Sequence, residues 1–126
     1  MRTELILGFE FNENTPIDVI DSIKYLIGKR KTKPKKYPWL WDCNYLLISS
    51  SYYFGVNLHV CKLWLDRISK TWHISTRSNI DNYNNEIEKF LKWIKPYVKK
   101  GSGKKDIYAI TINCDDGKYI IYSSKK

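Results

Sequence analysis

ELILGFEF (residues 4–11), followed almost at once by NTPIDVIDSIKYLIGK (residues 14–29), decides how this chain folds. The first run alternates. Leu5, Leu7, Phe9 and Phe11 share one side, and Glu4, Ile6, Gly8 and Glu10 share the other, the period of a strand with one buried face. The second run changes period. Val19, Ile20, Ile23, Leu26 and Ile27 make a stripe along one side of a helix. Thr15 is the expected N-cap and Pro16 the expected first helical residue, where proline's missing N–H has no helical partner to lose. Asp18 adds negative charge to the first turn, where the helix dipole favours it, and Gly28 offers a left-handed stop. A strand and a helix that each carry one apolar face must bury those faces together, as a sheet with a helix packed on it.

The remaining segments extend that sheet. NYLLISSSYYFG (44–55), NLHVCKLWLDRI (57–68) and KTWHISTR (70–77) read as strands, the last two joined by a turn at Ser69-Lys70. In the middle one, His59, Cys61, Leu63 and Leu65 share a face, opposite Leu58, Val60, Lys62, Trp64 and Asp66. A second helix spans about Asp81 to Trp93, with Tyr83, Ile87, Phe90, Leu91 and Ile94 as its stripe. Pro96 disfavours helix at Lys95. KKGSGKK (99–105) reads as a flexible basic connector. DIYAITIN (106–113) and KYIIYSS (118–124) flank CDDG, a hairpin with Gly117 near its turn. No internal repeat or domain boundary interrupts this order. The expectation is one α+β domain over residues 1–126. Its core would be ferredoxin-like, β-α-β-β-α-β, with extra antiparallel strands and both helices on one sheet face.

The chain has 126 residues, 22 basic and 13 acidic, for a net charge of +9. That balance points to an acidic partner or to a surface kept soluble by lysine. Cys43, Cys61 and Cys114 form neither an even framework nor a CxxC pair, which fits reduced thiols in a cytoplasm. No run approaches the roughly 18 apolar residues of a membrane span, and the first residues mix acids into their apolar stretch, unlike a signal peptide.

Two stretches stand out as candidate sites. Residues 29–36, KRKTKPKK, are basic at six of eight positions. Pro34 and Pro38 block regular structure there, so the run reads as an exposed loop. Lys29, Arg30, Lys31, Lys33, Lys35 and Lys36 can meet phosphates, while Tyr37, Trp39 and Trp41 can stack on bases. The same tryptophans equally suit a core or a lid. Lys99, Lys100, Lys104 and Lys105 make a second basic cluster; Lys118, Lys125 and Lys126 make a third. The other stretch is STRSN, with Ser75, Thr76, Arg77, Ser78 and Asn79 where a strand is expected to hand over to the second helix. Hydroxyls, a guanidinium and free N–H groups at a helix start can hold an anion. Ser78, Asn79 or Asp81 can instead simply cap the helix, and Arg77 can pair with Asp81 or Glu86.

Other chemistries find little footing. There is no Walker A motif and no GxGxxG, and GSG at 101–103 is too short to cradle a phosphate, so no cofactor is called for. His59 and Cys61 on one strand face would need Cys43, Cys114 or His73 to complete a metal site, and no spacing demands it. Asp115 and Asp116 fall in a hairpin turn, where aspartate serves the turn itself.

The segment from Trp72 to Ile110 resembles a group of small proteins from low-GC Gram-positive bacteria and their phages. The likeness runs through Trp72, Ser75, Thr76, Arg77, Ser78, Asn79, Tyr83, Glu86, Ile87, Trp93, Ile94, Pro96 and Tyr97. It implies a mobile-element setting, in which small proteins act by blocking a host defence protein or sequestering its nucleotide signal. It carries no assigned chemistry. The leading expectation is a non-enzymatic binder of nucleic acid or a nucleotide, in the bacterial host cytoplasm and off the membrane. The alternatives are a protein-protein inhibitor or immunity protein docking through an aromatic and basic surface, and a small phosphate-ester hydrolase. A homodimer is compatible with all three.

Overall fold

The computed structural model describes residues 2–43, 46–47, 60–82, 85–100 and 106–124. In chain order the elements are strand β1 (Arg2–Glu10), helix α1 (Ile17–Leu26), a 3-10 turn (Pro38–Cys43), strands β2 (Val60–Leu65) and β3 (Trp72–Asp81), helix α2 (Glu86–Ile94), a second 3-10 turn (Lys95–Tyr97), and strands β4 (Ile107–Asn113) and β5 (Tyr119–Ser123). The five strands form one sheet in the order β2-β3-β1-β4-β5. Every neighbouring pair is antiparallel. The architecture is therefore α+β, as the two periods in residues 4–29 require.

The alternation of β1 sets the layers. Leu5 lies opposite Ser78 and Thr111, and Leu7 lies opposite Thr76 and Ala109. These side chains face the helices. Val19, Ile20, Ile23 and Leu26 of α1 and Ile87, Phe90, Leu91 and Ile94 of α2 join Leu5, Leu7, Phe11, Leu63 and Ile74 in one buried cluster. Each fully buried aliphatic or Phe side chain contributes about 1.5–3 kcal/mol, so the two stripes anchor the helices. Gly28 ends α1 as expected, at φ 81, with its N–H donating to the Tyr25 carbonyl at 3.1 Å.

Several boundaries differ from the sequence reading. β3 runs on to Asp81 because β1 pairs with it residue for residue, from Glu10↔His73 to Arg2↔Asp81. The second helix consequently starts at Glu86, not Asp81. Asn82 accepts the Ile87 N–H through its side chain at 3.1 Å, and Asn85 turns the chain through φ 57. Pro16 itself occupies the N-cap of α1, with no side-chain cap bond, so Thr15 does not take that role. The β2–β3 turn is closed by Lys70 N–H to the Asp66 carbonyl, with Lys70 left-handed at φ 58. Phe9 is only partly buried. The strand expected over 44–55, together with His59 and Tyr83, lies outside the described residues, apart from Leu46 and Leu47, which are buried. Among the described residues no helix is long and apolar enough to cross a membrane.

Candidate anion-binding site

The exits of α2 and β1 are tied together by backbone. Pro96 ends the helix in a 3-10 turn, and Val98 then bridges to Phe11 in extended geometry. The Asn12 N–H donates to the Tyr97 carbonyl at 2.8 Å, and the Lys99 N–H donates to the Glu10 carbonyl at 2.8 Å. The Asn12 side-chain amide adds a bond to the Pro96 carbonyl at 2.9 Å.

A hollow of about 600 Å³ opens at this junction, with Lys92, Lys95, Lys99 and Lys100 in its wall and, among the described residues, no carboxylate in its lining. Lys92 and Lys95 lie three apart and so project from one side of the helix end. Helix carbonyls there carry partial negative charge, which favours lysine; any anion must therefore be held by the lysines and not by the helix dipole. Lys99 reaches Glu10 at 3.4 Å. Lys92, Lys95 and Lys100 have no ion-pair partner among the described residues. Glu10 is itself held below the usual carboxylate range, first by the Thr71 hydroxyl donating to it, against the opposing effect of burial, and then by Lys99.

Sequence reasoning singled out Lys99 and Lys100 but missed Lys92 and Lys95. Their signal was present: they punctuate the polar side of the α2 stripe. It was hidden because a lysine on the outer face of a helix is ordinary. Lys104 and Lys105 lie outside the described residues, as do Lys125 and Lys126.

The basic loop is partly occupied by its own helix. Arg30 pairs with Asp21 at 2.7 Å and Lys36 approaches Asp18 at 3.9 Å. Lys29 donates to the Leu63 carbonyl at 3.2 Å. Lys31, Lys33 and Lys35 are exposed, while Pro34 and Leu40 are buried and pin the loop. Tyr37 and Trp39 pack edge-on against Trp93, at 5.1 and 5.9 Å between ring centres. Tyr97 joins them and its hydroxyl pKa is raised, first through a hydrogen bond with Tyr37 and then by burial. These contacts bring the aromatic end of the loop against the segment that carries Lys92 and Lys95. Trp39 keeps 37% exposure.

Ser75, Thr76 and Arg77 line a separate hollow of about 440 Å³, but the run does not stand where the sequence reading placed it. The run lies within β3, not at a helix start, so its side chains alternate between faces. Thr76 and Ser78 point into the helix layer and are buried, with the Thr76 hydroxyl donating to the Leu47 carbonyl at 2.5 Å. Ser75, Arg77 and Asn79 point to the opposite face. There Arg77 donates through Nε to Glu4 at 2.7 Å. Asn79 donates to the other Glu4 oxygen at 2.8 Å and accepts from Arg2 Nε at 2.8 Å. The Glu4 side chain is fully buried. Arg77 thus has an acidic partner, Glu4, its diagonal neighbour on β1.

The metal candidates separate in the same way. Cys61 pairs with Thr76 and faces the helices, whereas His73 lies on the other face, stacked on Trp64 at 5.2 Å. Cys114 sits beside Asn79 at 3.3 Å. Among the described residues no three His, Cys, Asp or Glu side chains gather as a metal would need.

The geometry is that of an α+β sheet with a lysine-walled hollow at the end of its second helix. No protein family, curated protein or solved structure matches this chain.

Proposed function

We propose that the chain binds an anionic partner, nucleic acid or a nucleotide, through the hollow at the exit of α2, without catalysing a reaction on it. The observation that carries this is the set of four lysines around one opening, with no carboxylate in its lining among the described residues, on a chain of net charge +9. Like charges held together repel, and a phosphate relieves that repulsion while releasing its own counterions. The aromatic end of the basic loop packs on Trp93 of the same helix, where the exposed Trp39 ring offers a stacking surface for a base. The resemblance to small proteins of Gram-positive bacteria and phages supports a role in which this binding interferes with a host process in the bacterial cytoplasm. The ferredoxin-like reading of the core is supported by the position of β1 between β3 and β4, with β5 then an added edge strand.

The test is anisotropy of a labelled single-stranded oligonucleotide and of a labelled nucleotide across a salt series. Replacing Lys92, Lys95 and Lys100 together by Gln removes three charges that can each neutralise a phosphate. The oligonucleotide's salt slope then falls by about 0.7 for every phosphate that is no longer neutralised. Replacing Lys31 and Lys35 measures the loop separately. Unchanged affinity and slope in the triple variant would rule out the hollow. A second reading, docking to a protein, draws support from the exposed apolar strand β5.

A further inference from the structure

Among the described residues β5 is an outer strand, and its edge is unusual. Its residues Tyr119–Ser123 include no charge, and Tyr119, Ile120 and Ile121 are 66%, 55% and 49% exposed. With Ile107 at 42%, the β4–β5 hairpin supplies half of the eight large apolar side chains exposed among the described residues. Natural edge strands are guarded by lysine, proline or inward charges that stop a second strand from adding. This edge has none of them between Tyr119 and Ser123, on a chain otherwise rich in lysine.

The backbone of β5 is oriented for such an addition. At one end of the hairpin the Asn113 N–H donates to the Lys118 carbonyl at 2.8 Å, and at the other the Ser124 N–H donates to the Asp106 carbonyl at 3.1 Å. Antiparallel ladders alternate, so the even-numbered residues 118 to 124 bond inward to β4. Tyr119 and Ile121 therefore present their N–H and C=O groups outward.

We propose that β5 pairs with β5 of a second copy of this chain, antiparallel, about a two-fold axis at Ile120. A two-fold axis normal to the sheet maps each face onto itself, so only residues of the same parity can lie opposite each other. Centring on Ile120 places Tyr119 opposite Ile121 of the second copy, and Ile121 opposite its Tyr119. Each of these two pairs exchanges two backbone hydrogen bonds, four in all, using the outward groups. The side chains agree with the backbone. Tyr119 and Ile121 make an aromatic–β-branched pair on the face away from the helices. Ile120 meets Ile120 at a non-hydrogen-bonded position, where side chains approach closest. Lys118 falls opposite Tyr122, so the nearest positive charge meets an aromatic ring and not another lysine. The product is a continuous ten-stranded sheet. This pairing is independent of the anion site, because neither uses the other's residues.

Sedimentation velocity over a concentration series tests it. The wild-type chain should sediment as a reversible dimer, tighter at high salt because the two net charges of +9 are then screened. Ile120→Lys sets two lysines directly opposite across the axis and should leave a monomer with an unchanged melting temperature. Ile120→Cys supplies a reading that does not depend on loss. Mild oxidation should give a reducible covalent dimer, whereas Tyr119→Cys, opposite Ile121, should give none beyond the wild-type background. A wild-type monomer at all concentrations would overturn the proposal and leave the edge to a strand from another protein. A dimer that survives Ile120→Lys, or cross-links equally well through position 119, would overturn it as well.

Discussion

Replacing Arg77 by Ala should destabilise the fold and leave anion affinity alone. Its guanidinium lies 2.7 Å from a Glu4 carboxylate with no solvent exposure, while the arginine side chain itself is 31% exposed. Removing one partner of a buried ion pair costs about 3–5 kcal/mol, because the other charge is left desolvated. Two features favour the lower end. Water reaches part of the arginine, and Asn79 keeps its own bond to Glu4 at 2.8 Å. The expected loss is therefore about 3 kcal/mol, or a fall of roughly 10–15 °C in Tm for a domain of this size. Glu4→Gln keeps an acceptor and leaves the arginine partly hydrated, so it should cost only about 1 kcal/mol. Arg77→Lys should recover part of the stability but not all of it, since an ammonium lacks the planar fork. Urea titration followed by tryptophan fluorescence measures all three, with an unchanged denaturant slope showing that they are comparable. A loss below about 0.5 kcal/mol for Arg77→Ala, the range of an ordinary surface substitution, would refute this reasoning. Oligonucleotide affinity measured on the same folded variant completes the comparison. A drop in affinity at unchanged stability would return Arg77 to the ligand-binding role suggested by STRSN.

Two further outcomes follow from the core and from Glu10. Phe90 is fully buried, so Phe90→Ala should cost about 3–5 kcal/mol; a loss under about 1 kcal/mol in the same titration would mean that this face of α2 is not core. Glu10 has a lowered pKa in the folded state, chiefly through the Thr71 hydroxyl. Its contribution is present above the unfolded carboxylate value and disappears as pH falls through the folded one. Thr71→Val should move the Glu10 carboxyl titration seen by NMR upward and shrink that acid-dependent part of the stability; an unmoved titration would show that Thr71 is not its cause.

Residues 4–29 by themselves determined the class of fold. Alternation in ELILGFEF and the stripe from Val19 to Leu26 are local properties, set by the geometry of one strand and one helix, and the α2 stripe from Ile87 to Ile94 was equally local. The β4–β5 hairpin was legible for the same reason, through its turn chemistry at Gly117. Where β3 ends was not legible. STRSNID is compatible with a strand end and with a helix cap, and what extends the strand is a partner about 75 residues away in sequence, β1, whose nine residues pair along its whole length. That one tertiary fact reassigned Arg77 from a helix start to a buried carboxylate, because Glu4 and Arg77 become neighbours only in the sheet. Likewise, composition supplied the positive charge, but only the return of α2 against the exit of β1 brought Lys92 and Lys95 together with Lys99 and Lys100. A sequence counts charges; which of them share an opening depends on how the chain crosses itself.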